Sequence, residues 1–97
     1  KRKEGSKLNF RRIRDLREDS DKTQREIGEL LHIDRTVYGR YELGKHDIPI
    51  VTLITLADYY EVNLDYLVGR TNDSKMLPKA KGYQKLVERT LQEEKKE

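Results

Sequence analysis

The sequence contains no cysteine, which removes both a disulfide scaffold and a thiolate metal site. Histidine is nearly missing as well. His32 and His46 are the only two, too few to build a histidine zinc site, and no metal is expected. No apolar run approaches the roughly 18–20 residues that a membrane-spanning helix needs. The opening Lys1-Arg2-Lys3-Glu4-Gly5-Ser6 is basic but has no apolar stretch behind it, so it does not read as a signal peptide. A cytoplasmic location is the resulting expectation. The first residue is Lys1 rather than Met, which leaves open whether residues precede it. A catalytic set is also missing. There is no Ser/His/Asp or Cys/His constellation and no Gly-rich phosphate loop. Carboxylate pairs such as Glu93-Glu94 fall in a charged tail with nothing to perturb them. The expectation is a chain that is not an enzyme and carries no cofactor.

What the sequence has in quantity is charge. Of its 97 residues 40% are charged and 34% hydrophobic, a balance that suits one small helical domain with a well-solvated surface. The net charge of +3 is only mildly basic, so its distribution matters more than its size. Residues 1–50 carry 13 Lys and Arg against 10 carboxylates, and residues 75–97 carry 7 against 4. Residues 51–74 reverse the sign, with 1 Arg against 4 carboxylates. Basic charge held away from the middle segment is what a protein meeting phosphate on one face would show.

Apolar spacing predicts five short helices. Phe10, Ile13 and Leu16 mark a first helix over about Phe10–Glu18, with Asn9 as its N-cap. Thr23-Gln24-Arg25-Glu26 is a capping box that starts a second helix burying Ile27 and Leu31. Asp34 caps a third that runs to Leu43, buries Tyr38 and Tyr41, and stops at Gly44. Leu53, Leu56, Ala57 and Tyr60 form the inward stripe of a fourth, with Tyr59 on the surface beside it. Asn63 caps a short fifth over Leu64–Val68, ended by Gly69. Thr71-Asn72-Asp73-Ser74 is a linker by composition. Tyr83, Leu86, Val87 and Leu91 then form an amphipathic stripe, open to three readings: a dimer helix, a cover for the domain, or a weakly ordered tail. Three segments follow: an arm over 1–7, an all-α five-helix domain over 8–70, and a linker with a C-terminal extension over 71–97 that is helical where its apolar stripe folds.

Thr23 to Gly44 is the informative stretch. Two helices of about eight residues, joined by a turn too short to let them lie side by side, form a helix-turn-helix. The second helix then stands clear of the body and fits a major groove. Thr23-Gln24, Ile27-Gly28, Leu31, Ile33-Asp34, Tyr38, Tyr41-Glu42, Gly44-Lys45 and Pro49 fall at the spacings of a known family. Leu56-Ala57, Val62, Asp65 and Leu67-Val68-Gly69 continue the match. Over Leu8–Gly69 the chain resembles the Cro and phage-repressor helix-turn-helix regulators.

The resemblance implies a homodimeric transcriptional regulator, most often a repressor, binding a double-stranded DNA operator with helix 3 (about 35–43) in the major groove. It places base readout at Arg35, Thr36, Gly39 and Arg40. Phosphate contact is placed at Thr23, Gln24 and Arg25, where helix 2 begins, and at Lys45 and His46 after helix 3. Arg17 and Glu42 match an Arg–Glu pair that ties helix 1 to helix 3. The chemistry agrees: Arg forks onto guanine O6 and N7, and a helix N-terminus offers free N–H groups to phosphate. Plainer readings stand beside these. Arg35 and Arg40 can be solvated surface charges, His46 a loop residue, and Arg17–Glu42 a scaffold pair. His32 reads as structural and Tyr60 as core.

The chain departs from the family pattern at four places. Asp21 and His32 stand where a left-handed glycine is usual, a region that Asp and His tolerate better than most residues. Gly28 replaces a usual alanine at an expected cost of up to ~1 kcal/mol. Tyr38 replaces an aliphatic core residue. Gly39 beside it either makes room for it or lets the backbone approach DNA. The rival functional class is a protein-interaction module, such as an antitoxin, that binds a protein partner through residues 75–97.

Overall fold

The computed structural model describes residues 10–85, 88 and 89. Its helices are α1 (Arg11–Asp19), α2 (Gln24–Leu31), α3 (Arg35–Leu43), α4 (Ile50–Tyr60) and α5 (Leu64–Leu67). Among the described residues there is no strand, and no helix is long and apolar enough to cross a membrane. The architecture is all-α, with the five helices that the apolar spacing predicts over 8–70 and further helical residues at 83–85, 88 and 89.

The starts of the helices follow local chemistry. At α2 the Thr23 side chain accepts from the Glu26 N–H at 3.0 Å, while the Thr23 N–H donates to Glu26 Oε1 at 2.9 Å. Asp34 accepts from the Thr36 N–H at 2.7 Å, and Asn63 from the Tyr66 N–H at 2.7 Å. α1 is the exception. It begins one residue later than its apolar spacing suggests, with Phe10 at the N-cap position and no side-chain cap. The expected cap, Asn9, lies outside the described residues. α4 also starts without a side-chain cap, behind Pro49, and is anchored by the burial of Leu53, Leu56 and Ala57.

The ends of the helices share one device. Asp21, His32, Gly44, Glu61 and Gly69 all have left-handed backbones. In each case this residue and the next donate back into the last turn, as His32 does to Glu29 O at 3.1 Å and Ile33 to Gly28 O at 2.9 Å. This is the Schellman closure, and it satisfies carbonyls that a helix end otherwise leaves open. Asp21 and His32 take the left-handed region as expected. Glu61 does so with no sequence cue. α5 ends at Leu67, one residue short of expectation, because the closure at Gly69 takes Val68 out of the helix.

Ile13, Ile27, Tyr38, Tyr41, Leu53, Leu56, Ala57, Val62 and Leu67 form one buried core drawing on every helix. Leu16, Leu31 and Tyr60 pack against it half-buried. Tyr59 lies outside at 40% exposure and meets the Tyr60 ring edge-on at 5.1 Å. The described chain just after α5 stays against the body. Arg12 Nη1 donates to Tyr66 O and Thr71 O, both at 2.7 Å, and its Nη2 to Asn72 Oδ1 at 2.8 Å. Asn63 Nδ2 donates to Asp73 O and Lys75 O, both at 2.8 Å. Farther on, the Tyr83 hydroxyl donates to Asp58 Oδ2 at 2.9 Å, so the part of the tail stripe that is described lies against α4. Leu86, Val87 and Leu91 are outside the described residues.

Candidate nucleic-acid interface

α2 and α3 are joined by three residues, His32, Ile33 and Asp34, and the close fit between them depends on Gly28. A Cβ at that position would stand 3.0 Å from Ile33 O and 3.3 Å from Arg35 Cα. Glycine therefore lets the turn and the start of α3 close onto α2. A Cβ there is tight, so packing opposes the helix-propensity cost expected of Gly28.

The second fixing element is a polar cluster where α1, α2 and α3 meet. Glu42 is the one charged residue buried among those described, at 7% exposure. Arg17 grips it with two parallel bonds, Nε to Oε2 at 2.7 Å and Nη2 to Oε1 at 3.0 Å. Arg17 Nη1 also donates to Lys22 O at 2.9 Å. Gln24 Nε2 donates to Glu42 Oε1 at 3.0 Å. Burial alone would raise the Glu42 pKa. The donors Arg17 and Gln24, with the Tyr38 hydroxyl beside them, reverse that and hold it below the ordinary glutamate value. The Tyr38 hydroxyl itself is buried with no hydrogen bond of ordinary geometry, and burial pushes its pKa well up.

This cluster decides where Gln24 points. Its amide turns inward to Glu42 and lies across Gly39, where a Cβ would stand 3.2 Å from Gln24 Oε1. Gly39 thus makes room for Gln24 and not for Tyr38. What α2 offers outward at its start is main chain. The capping box uses the N–H groups of Thr23 and Glu26 and leaves those of Gln24 and Arg25 without a partner inside the helix. Those groups and the helix dipole make a seat for an anion.

Thr23, Arg25, Arg35, Thr36 and Arg40 are exposed. Arg25 and Arg35 line one surface notch with Glu29, Ile33 and Asp34, so the start of α2 and the start of α3 are neighbours. Arg25 lies 3.7 Å from Glu29, an exposed pair of little energetic weight. Among the described residues Arg35, Arg40 and Lys45 have no ion-pair partner. Lys45 and His46 are exposed in the loop that leaves α3, and the Lys45 N–H donates to Arg40 O at 2.9 Å, closing that helix. The Thr36 N–H holds the Asp34 carboxyl below its usual pKa, so the cap stays ionised beside Arg35. The notable residue missed from sequence is Arg12. No local pattern distinguishes it from its basic neighbours.

A helix-turn-helix family model matches residues 13–67, from Ile13 in α1 to Leu67 in α5. The HTH-type transcriptional regulator ImmR of Bacillus subtilis is 34% identical over 65 residues, which are 67% of this chain and 51% of the relative. Two uncharacterised HTH-type transcriptional regulators of the same organism also match. YobD is 36% identical over 62 residues, 64% of this chain and 55% of its own. YqaE is 33% identical over 70 residues, 71% of this chain and 60% of its own. The chain thus spans roughly half the length of the curated relatives it matches. No solved structure matches it.

Proposed function

The chain belongs to the Cro/C1-type helix-turn-helix family, a family of DNA-binding transcriptional regulators, and we propose that it reads a double-stranded operator as a cytoplasmic homodimeric repressor. In this reading α3 lies in the major groove. Arg35, Thr36, Gly39 and Arg40 face base edges, while Thr23, Gln24, Arg25, Lys45 and His46 meet phosphate. The observation that carries it is the set of cations on and after α3 that have no ion-pair partner among the described residues, next to a helix N-terminus with free N–H groups. That surface sits on a scaffold held rigid by Gly28 and by the Arg17–Glu42–Gln24 cluster. Gln24 meets phosphate through its main-chain N–H, since its amide is engaged by Glu42. Gly39 contributes by its low profile.

Pairing follows from reach. One module touches only a few base pairs, and two recognition helices about 34 Å apart double the sequence read. The role is one of binding rather than catalysis. The reading in which residues 75–97 capture a protein partner, as in an antitoxin, has no observation among the described residues in its favour.

The test is selection from a pool of random duplexes at near-physiological salt, beside an Arg35→Ala, Thr36→Ala double variant. Enrichment of an inverted repeat, lost in the variant, is the expected outcome. Retention without enrichment, unchanged in the variant, would leave only charge at work and refute sequence reading.

A further inference from the structure

The segment that follows α5 folds back over α4 and forms with it an open cleft of about 330 Å³. That is the lower end of the size range of small-molecule sites. Its walls are mostly apolar: Ile54, Val62 and Leu64 from the helical body, Met76, Leu77 and Pro78 from the returning segment. Asp58, Lys79 and Tyr83 stand together in the same lining. None of the residues proposed to meet DNA belongs to it.

The polar group has a definite chemistry. Lys79 Nζ lies 3.2 Å from Asp58 Oδ1 and 5.4 Å from the centroid of the Tyr83 ring. The Tyr83 hydroxyl donates to the other carboxylate oxygen, and burial together with this bond pushes the phenol pKa up to about 12, so it remains a donor. A carboxylate on one side and an aromatic face on the other form a seat for an ammonium group. Lys79 shows that an ammonium fits there. The Lys79–Asp58 pair is part-exposed and therefore weak, so another ammonium can displace it.

We propose that this cleft is a binding site for a small amphipathic amine, its ammonium taking the place of Lys79 between Asp58 and Tyr83 and its hydrocarbon part filling the apolar cleft. Lys79 is then an internal competitor for the seat. The bound amine holds the returning segment against α4 and leaves the α2–α3 surface uncovered, so amine and DNA are not in steric competition. The site stands independently of whether the chain binds its operator as a dimer.

The experiment is a titration of the full chain with phenethylamine and, separately, with its neutral counterpart 2-phenylethanol, followed by amide chemical shifts near pH 7. Saturable shifts at Ile54, Asp58, Met76 and Lys79 are expected, with the amine bound about tenfold more tightly than the alcohol. Lys79→Ala should tighten amine binding several-fold, and Asp58→Asn should bring amine and alcohol to equal affinity. The folded spectrum outside the cleft serves as the check that each variant is intact. Equal binding of amine and alcohol by the unaltered chain overturns the proposal. So does unchanged or weaker amine binding in Lys79→Ala, and so does a preference for amine that survives in Asp58→Asn.

Discussion

At the residue scale, Gly28 and Glu42 show how contact overrides intrinsic preference. Helix propensity ranks Gly28→Ala as a gain of up to ~1 kcal/mol. The 3.0 Å approach to Ile33 O and the backbone of Arg35 opposite turn it into an overpacking change, because no flexible side chain is there to yield. A loss of about 1–3 kcal/mol is expected in urea denaturation. A gain would mean that the turn relaxes freely.

Glu42 and Arg17 keep only 3% and 12% of their side chains in water. Glu42→Ala strands the guanidinium and is expected to cost about 3–5 kcal/mol. The sign of the pH effect follows from the lowered pKa. Below the ordinary value of 4.5 the unfolded chain takes up the proton first. The contribution is therefore complete above that value and disappears as pH falls through the lower folded one. Stability measured from pH 6 down to pH 3 should fall less steeply in Glu42→Gln than in the unaltered chain. Tyr38→Phe is the contrasting case. Its hydroxyl makes no hydrogen bond of ordinary geometry, so its removal should be neutral or slightly stabilising. A loss above about 1 kcal/mol would show that the hydroxyl serves Glu42.

At the scale of elements, each helix is defined by its ends more than by its interior. The starts at Thr23, Asp34 and Asn63 obey short-range capping rules and were legible in the sequence. So were the stops at Gly44 and Gly69. Glu61 was not, because glutamate carries no preference for the left-handed region that it occupies at φ 59°. It is there because Val62 must turn into the core, where it is buried and donates back to Ala57 O at 3.0 Å. Relief of that backbone predicts that Glu61→Gly stabilises the domain by up to about 1 kcal/mol. In thermal denaturation that corresponds to roughly 4–8 °C.

At the scale of the whole molecule, the folded unit extends past the family match, which stops at residue 67. Arg12 reaches across 54 to 60 positions of sequence to bind Tyr66, Thr71 and Asn72, and its guanidinium lies 4.0 Å from the centroid of the Tyr66 ring. Arg12→Ala should lower stability by about 1–2 kcal/mol. The discriminating readout is amide exchange. The N–H of Asn63, which donates to Ser74 O, should lose protection before the N–H groups of α3. Uniform loss across the domain would show that the returning segment is not separately held.

Local rules determined the parts that depend on neighbours three or four positions away: five helices, the caps of α2, α3 and α5, the inward stripes and the exposed cations of α3. Such patterns are set by main-chain hydrogen bonding and helical repeat, and they need no knowledge of the rest of the chain. The Arg17–Glu42 pair was legible only through likeness to a family. Tertiary structure alone decided that Gly28 sits at a close contact with the start of α3, that Gln24 turns its amide inward, and that residues 71–83 return to the body. Each of these depends on which distant surfaces are pressed together in the folded chain, a pairing that no repeat or capping rule along a single segment records.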